Sequence, residues 1–132
     1  MNPETVTAVK LGAAIVLGIV FVVMGINHFL PSGRRTMAAM IPPSMRRAGI
    51  LSPSNLVLFT GLCEIAGGVG LFLPATRPIA AVALAVFLVA VFPANAYAAA
   101  HKDRFGALAI PLVPRAIAQV VLIAILLFVA FG

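Results

Sequence analysis

Acidic residues are almost missing from this chain: three Asp+Glu stand against nine Lys+Arg in 132 residues. Charged residues of either sign make up 9% and hydrophobic residues 63%, where a soluble domain carries roughly 25% and 45–50%. So few polar groups cannot clothe a fold in water, and lipid is the expected solvent for its outside. Residues 1–132 are expected to form one domain. A single cysteine, Cys63, excludes an intrachain disulfide and a CxxC redox pair. The two histidines, His28 and His101, stand at opposite ends of the chain and suggest no metal site. No serine–histidine–acid set and no flavin, haem or iron–sulfur motif is apparent. The run "GGVG" at 67–70 lies inside an apolar stretch without a following lysine, which excludes a phosphate loop. The net charge of +6 would point to nucleic acid in a soluble protein. Here the basic residues sit in short connectors, so topology and anionic headgroups account for them, and no nucleic-acid partner is expected.

What the chain does have is four long runs with almost no charge. A spanning helix needs ~20 residues, so four helices fit and five do not. The expected spans are 9–29, 53–73, 78–100 and 114–131, which make an all-α integral membrane four-helix bundle. The boundaries carry helix punctuation. Ser52-Pro53 reads as an N-cap followed by proline at the first helical position, where its missing N–H is not needed. Thr76-Arg77-Pro78 reads in a similar way, Pro74 stops the second span, and Pro111 and Pro114 bracket the start of the fourth. Glu4 stands where a signal peptide would be basic, so the first run reads as a span rather than a leader.

The first connector, "PSGRRTMAAMIPPSMRRAGILS", is the long one. Arg34, Arg35, Arg46 and Arg47 flank an apolar centre. That pattern suits a segment in the membrane interface with arginines reaching headgroups; an ordinary solvated loop is the alternative. With Lys102 and Arg104, and Arg115 at a helix edge, the first and third connectors outweigh Lys10 and Arg77 on the opposite side. The positive-inside rule then places those two connectors in the cytoplasm, in a protein expected in a bacterial inner membrane.

The polar residues within the spans are not scattered. Glu64 lies 11 residues into the second span, ~16 Å at 1.5 Å per residue. Asn27 and His28 end the first span, Asn95 and Tyr97 lie near the end of the third, and Arg115 and Gln119 open the fourth, one turn apart on one face. All fall between the midplane and the side bearing the first and third connectors, which predicts convergence on one polar pocket. Small residues mark interhelical faces. Gly18, Gly25 and His28 form one stripe and Gly61, Glu64 and Gly68 another, so His28 and Glu64 are expected to point inward. A lone charge near the bilayer centre costs from ~2.5 to more than ~10 kcal/mol, so Glu64 needs a partner, water or a proton. Interhelical structural glue is the alternative to ligand or proton handling. Pro93 cannot donate to the carbonyl of Val89 and is expected to kink the third span near Asn95.

Four blocks, "GINHF" at 25–29, "GLCEIAGGVGLFLPATR" at 61–77, "FPANAY" at 92–97 and "PRAIAQ" at 114–119, resemble the DoxX-like family of small four-helix membrane proteins. The resemblance covers nearly the whole chain in order, and all the polar residues His28, Glu64, Asn95, Tyr97, Arg115 and Gln119 fall within it. It implies a four-helix membrane fold. The family is named for a link to a quinone-reducing thiosulfate oxidoreductase, and other relatives act beside oxidative-stress enzymes or resemble secretory chaperones. Two function classes follow. In the first, the chain is a non-catalytic membrane subunit whose pocket binds a lipid, a quinone or a partner membrane protein, with Glu64 as central acceptor. His28, Asn27, Asn95, Tyr97 and Gln119 would position the guest, and Arg115 would meet an anionic headgroup or balance Glu64. In the second, it belongs to a quinone-linked oxidoreductase, with Glu64 and His28 handling protons and electrons supplied by a redox partner. A proton or small-solute transporter is a third reading, although no inverted repeat is visible. A homo-oligomer stays open.

Overall fold

The structure, a computed structural model, describes residues 2–101 and 111–132. The described residues form five α-helices: α1 (Pro3–Asn27), α2 (Pro31–Met40), α3 (Pro53–Phe72), α4 (Arg77–Ala100) and α5 (Leu112–Phe131). Helices α1, α3, α4 and α5 are each long and apolar enough to cross a membrane. The expected spans two to four agree with α3, α4 and α5 to within two residues at each end.

Helix α1 begins six residues earlier than the expected boundary at residue 9. The reason is local. The Asn2 side chain accepts a hydrogen bond from the Thr5 N–H (2.8 Å), Pro3 takes the first helical position, and Glu4 complements the positive helix end. The polar turn around Glu4, Thr5 and Thr7 is therefore helical without being part of the apolar run.

The four spanning helices run up and down in sequence order. Each packs on two neighbours: α1 on α3 and α5, and α4 on α3 and α5. Helices α3 and α5 are thus diagonal, as are α1 and α4. The apolar core fills the half of the bundle away from the first connector, where Ala14, Leu17 and Phe21 meet Leu71, Leu84, Leu126 and Val129.

Glycines set the spacing of α3 on both sides. A Cβ on Gly68 would come within 2.8 Å of the Gly18 carbonyl oxygen, and one on Gly25 within 2.8 Å of the Gly61 carbonyl oxygen. The two contacts lie seven residues apart on each antiparallel helix, so backbone meets backbone along one seam. Gly67 faces the other way, where a Cβ would press on Leu84 of α4. The "GGVG" run is thus a packing device serving two neighbours.

Helix ends near the membrane boundary are closed by side chains. At the end of α3, Arg77 donates from Nε to the Leu71 carbonyl (2.7 Å) and from Nη2 to the Phe72 carbonyl (3.2 Å). The Thr76 hydroxyl donates to the Gly70 carbonyl (2.8 Å) rather than capping α4. Ser52 does cap α3, accepting from the Asn55 N–H.

The first connector is the helix α2 followed by two short 3-10 turns at Pro43–Met45 and Gly49–Leu51. It packs on α3 and α4, and Met40 is buried beside Ala98 and Tyr97. Lys102 and Arg104, counted in the expected charge asymmetry, lie outside the described residues.

Gly68→Ala is expected to lower the midpoint of thermal unfolding in detergent, because its Cβ must displace backbone; overpacking of this kind costs about 1–3 kcal/mol. Gly12→Ala, where a Cβ meets nothing within 4 Å, is expected to leave the midpoint unchanged or slightly higher. Equal effects of the two substitutions would remove the glycine seam as a determinant of stability.

Candidate functional site

Two helix directions explain how His28 reaches Glu64. Side chains on a helix lean toward its N-terminus. Helix α1 ends at the connector side, so His28, its C-cap residue, leans down into the membrane. Helix α3 starts there, so Glu64 leans up. They meet with His28 Nε2 3.2 Å from Glu64 Oε2. Both residues are buried, at 8% and 9% exposure, although the chain around them is mostly lipid-facing.

The other ring nitrogen is fixed by α3. His28 Nδ1 lies 2.9 Å from the Val57 carbonyl oxygen and 3.1 Å from the Thr60 hydroxyl. The hydroxyl itself donates to the Val57 carbonyl (2.9 Å). A carbonyl oxygen can only accept, so Nδ1 carries a hydrogen. A neutral ring then leaves Nε2 as an acceptor, facing a carboxylate that is also an acceptor. Two acceptors at 3.2 Å repel unless a proton sits on one of them. A proton on either atom, as imidazolium–carboxylate or as imidazole–carboxylic acid, would make the pair neutral. Neutrality removes most of the cost of burying a charge at this depth.

The Glu64 carboxylate keeps unused acceptor capacity. Oε2 is fully buried and, although close to Nε2, has no aligned hydrogen-bond donor among the described residues. Buried polar atoms are nearly always hydrogen-bonded, so this oxygen retains capacity for a further donor.

The second polar group lies on the α4–α5 seam. Arg115 Nη1 donates to Asn95 Oδ1 at 3.1 Å. Gln119, one turn deeper on α5, is half-buried. Tyr97 stacks on His101 with ring centroids 4.1 Å apart, and its ring packs with Met40 beneath α2. His101 Nδ1 lies 2.7 Å from the Tyr97 carbonyl oxygen, so this histidine closes the end of α4 rather than standing free on the surface. Asn27 is half-buried where α2 begins, and its carbonyl and side-chain oxygens crowd the space beside Gly33.

The expected polar set thus divides into two pairs, His28–Glu64 and Asn95–Arg115, on opposite sides of the bundle. The expected single pocket with Arg115 balancing Glu64 is not the arrangement found: α3 and α5 are diagonal, and the ionisable side chain beside the Glu64 carboxylate is His28. The concavities that stand out, of about 390 and 260 Å³, lie at the other end of the bundle, against Pro3, Thr7, Lys10 and Arg77. Among the described residues no group of three His, Cys, Asp or Glu is placed to hold a metal. Cys63 is a half-buried free thiol.

Thr60 and the Val57 carbonyl escaped the sequence reading. Thr60 stands four residues before Glu64, on the same helix face, and that spacing was the available signal. The carbonyl had no sequence signal, because any residue supplies one.

The family model described as a domain of unknown function (DUF8561) matches residues 17–130, a range that holds both polar pairs. No curated protein and no solved structure matches the chain.

A double-mutant cycle of His28→Ala and Glu64→Ala is expected to give a coupling energy of about 0.5–3 kcal/mol in detergent unfolding. Each single change strands a buried partner, whereas the double change removes both. Additive losses would mean that the two side chains do not interact.

Proposed function

This chain belongs to the DUF8561 family, and on that premise we propose that it is a small membrane subunit, non-catalytic by itself, that binds an amphiphilic guest. Glu64 and His28 engage the polar end of a lipid or a quinone, or a polar group on a partner membrane protein. The observation that carries this reading is the buried Glu64 Oε2, which has no hydrogen-bond partner among the described residues. A pair serving only to join α1 and α3 would gain from aligning that oxygen with a donor. In this proposal the guest approaches laterally, from lipid.

A second reading rests on the single proton of the pair. A quinone needs a proton at each oxygen on reduction. A carboxylate–imidazole pair that holds one proton can hand it to a reduced, anionic quinone oxygen, which moves that oxygen's negative charge onto the pair until a second proton arrives from the connector side. The chain would then be the membrane part of a quinone-linked oxidoreductase, with electrons from a redox partner. The likeness to DoxX-like proteins belongs to this proposal and favours the quinone over other guests.

The proposed location is a bacterial inner membrane with the first and third connectors in the cytoplasm. Arg34, Arg35, Arg46 and Arg47 supply the described part of the charge excess.

Purification in mild detergent, followed by an absorption spectrum and a lipid mass spectrum, tests the guest. A stoichiometric amphiphile is expected with the native protein and is expected to be lost in Glu64→Gln with helicity intact. Nothing bound to either protein would overturn the reading. A bound quinone would select the redox version, and a bound phospholipid the non-catalytic one. For orientation, a cysteine at exposed Ala48 in a Cys63→Ser background is expected to react with impermeant reagents only after the membrane is opened. Labelling of intact cells from the periplasm would invert the topology.

A further inference from the structure

The first connector carries four arginines and no acidic residue, and the structure gives the arginines two different jobs. Arg46 turns back on the end of α2, donating from Nε to the Ile41 carbonyl (2.9 Å) and from Nη2 to the Ala39 carbonyl (3.1 Å). Arg47 donates from Nη1 to the Ser44 and Arg46 carbonyls. These two guanidinium groups serve the backbone of the connector.

Arg34 and Arg35, in the first half of α2, make no side-chain hydrogen bond or ion pair among the described residues. Arg35 is exposed and Arg34 half-buried. Large apolar side chains are exposed in the same connector, Ile50 (87%) and Leu51 (57%), and just before it, Leu30 (50%) and Phe29 (44%). Helix α2 is tied to α3 and α4, and the second 3-10 turn to α3, so these groups are held at the end of the bundle rather than on a loose loop. Apolar and cationic side chains held at one end of the bundle, by a connector that carries no carboxylate, match the boundary between acyl chains and anionic headgroups.

We propose that Arg34 and Arg35 form the headgroup-binding element of an anionic phospholipid site at this boundary, with Phe29, Leu30, Ile50 and Leu51 seated among the acyl chains. Charge complementarity selects the occupant. The connector is wholly cationic, and a guanidinium can grip a phosphate through two parallel N–H donors. The site is separate from the His28–Glu64 pair and stands whether or not that pair binds a guest.

The full-length protein in nanodiscs of mixed phosphatidylglycerol and phosphatidylcholine, read by native mass spectrometry of the retained lipids, tests this. The native protein is expected to retain phosphatidylglycerol in preference. The double variant Arg34→Gln/Arg35→Gln is expected to lose about 25-fold of that preference, at roughly a factor of 5 per arginine from the usual contribution of a basic residue near an anionic surface. Arg34→Lys/Arg35→Lys is expected to restore most of it. Arg46→Gln/Arg47→Gln is expected to keep the preference while lowering the thermal midpoint. Unchanged preference in Arg34→Gln/Arg35→Gln, or loss only in Arg46→Gln/Arg47→Gln, would overturn the assignment.

Discussion

Backbone contact between α1 and α3 is the constraint from which the rest of this bundle follows. Lipid chains are as apolar as leucine, so helices in a membrane gain little from burying apolar surface and associate through close packing and polar contacts. Gly18 against Gly68 and Gly25 against Gly61 allow that closeness and fix the antiparallel register. With the register fixed, His28 and Glu64 lean toward each other from opposite helix directions and come within ion-pair distance. Neither residue would tolerate its depth alone.

The same economy governs the membrane boundary. A helix end leaves carbonyls without intrahelical partners, and lipid cannot supply donors. Arg77 answers this at the end of α3, Arg46 at the end of α2, and His101 at the end of α4. Basic residues that look like topology signals in the sequence are therefore also backbone caps. Arg34 and Arg35, which close no helix end, differ from them in chemistry and not only in position.

Polarity is concentrated at the connector end, while the other half of the bundle is a plain apolar core of Leu, Phe, Val and Ala. Two seams meet there with different partners. The α1–α3 seam carries the His28–Glu64 pair, and the α4–α5 seam an Arg–Asn pair. Helix α2 lies across α3 and α4 at this end and buries Met40 beside Ala98 and Tyr97. The two polar pairs lie on different seams of the bundle.

Much of this was legible from residue order. Uncharged runs of about 20 residues bounded by proline and serine dictated the spanning helices, because a backbone in lipid must satisfy its own hydrogen bonds. The glycine stripes marked the inner faces of α1 and α3, since seven residues is close to two helical turns. Glu64 and His28 were legible as inward groups for the same reason. The start of α1 was written in Asn2-Pro3-Glu4 but was masked by its polarity. Which polar residue meets which was decided only in the tertiary structure. Depth along a helix is a one-dimensional quantity that the sequence carries. The neighbour across a seam depends on the cyclic order of the helices, and residue spacing within one helix contains no term for that order. Glu64 therefore pairs with His28, on an adjacent helix, and Arg115, on the diagonal one, turns to Asn95.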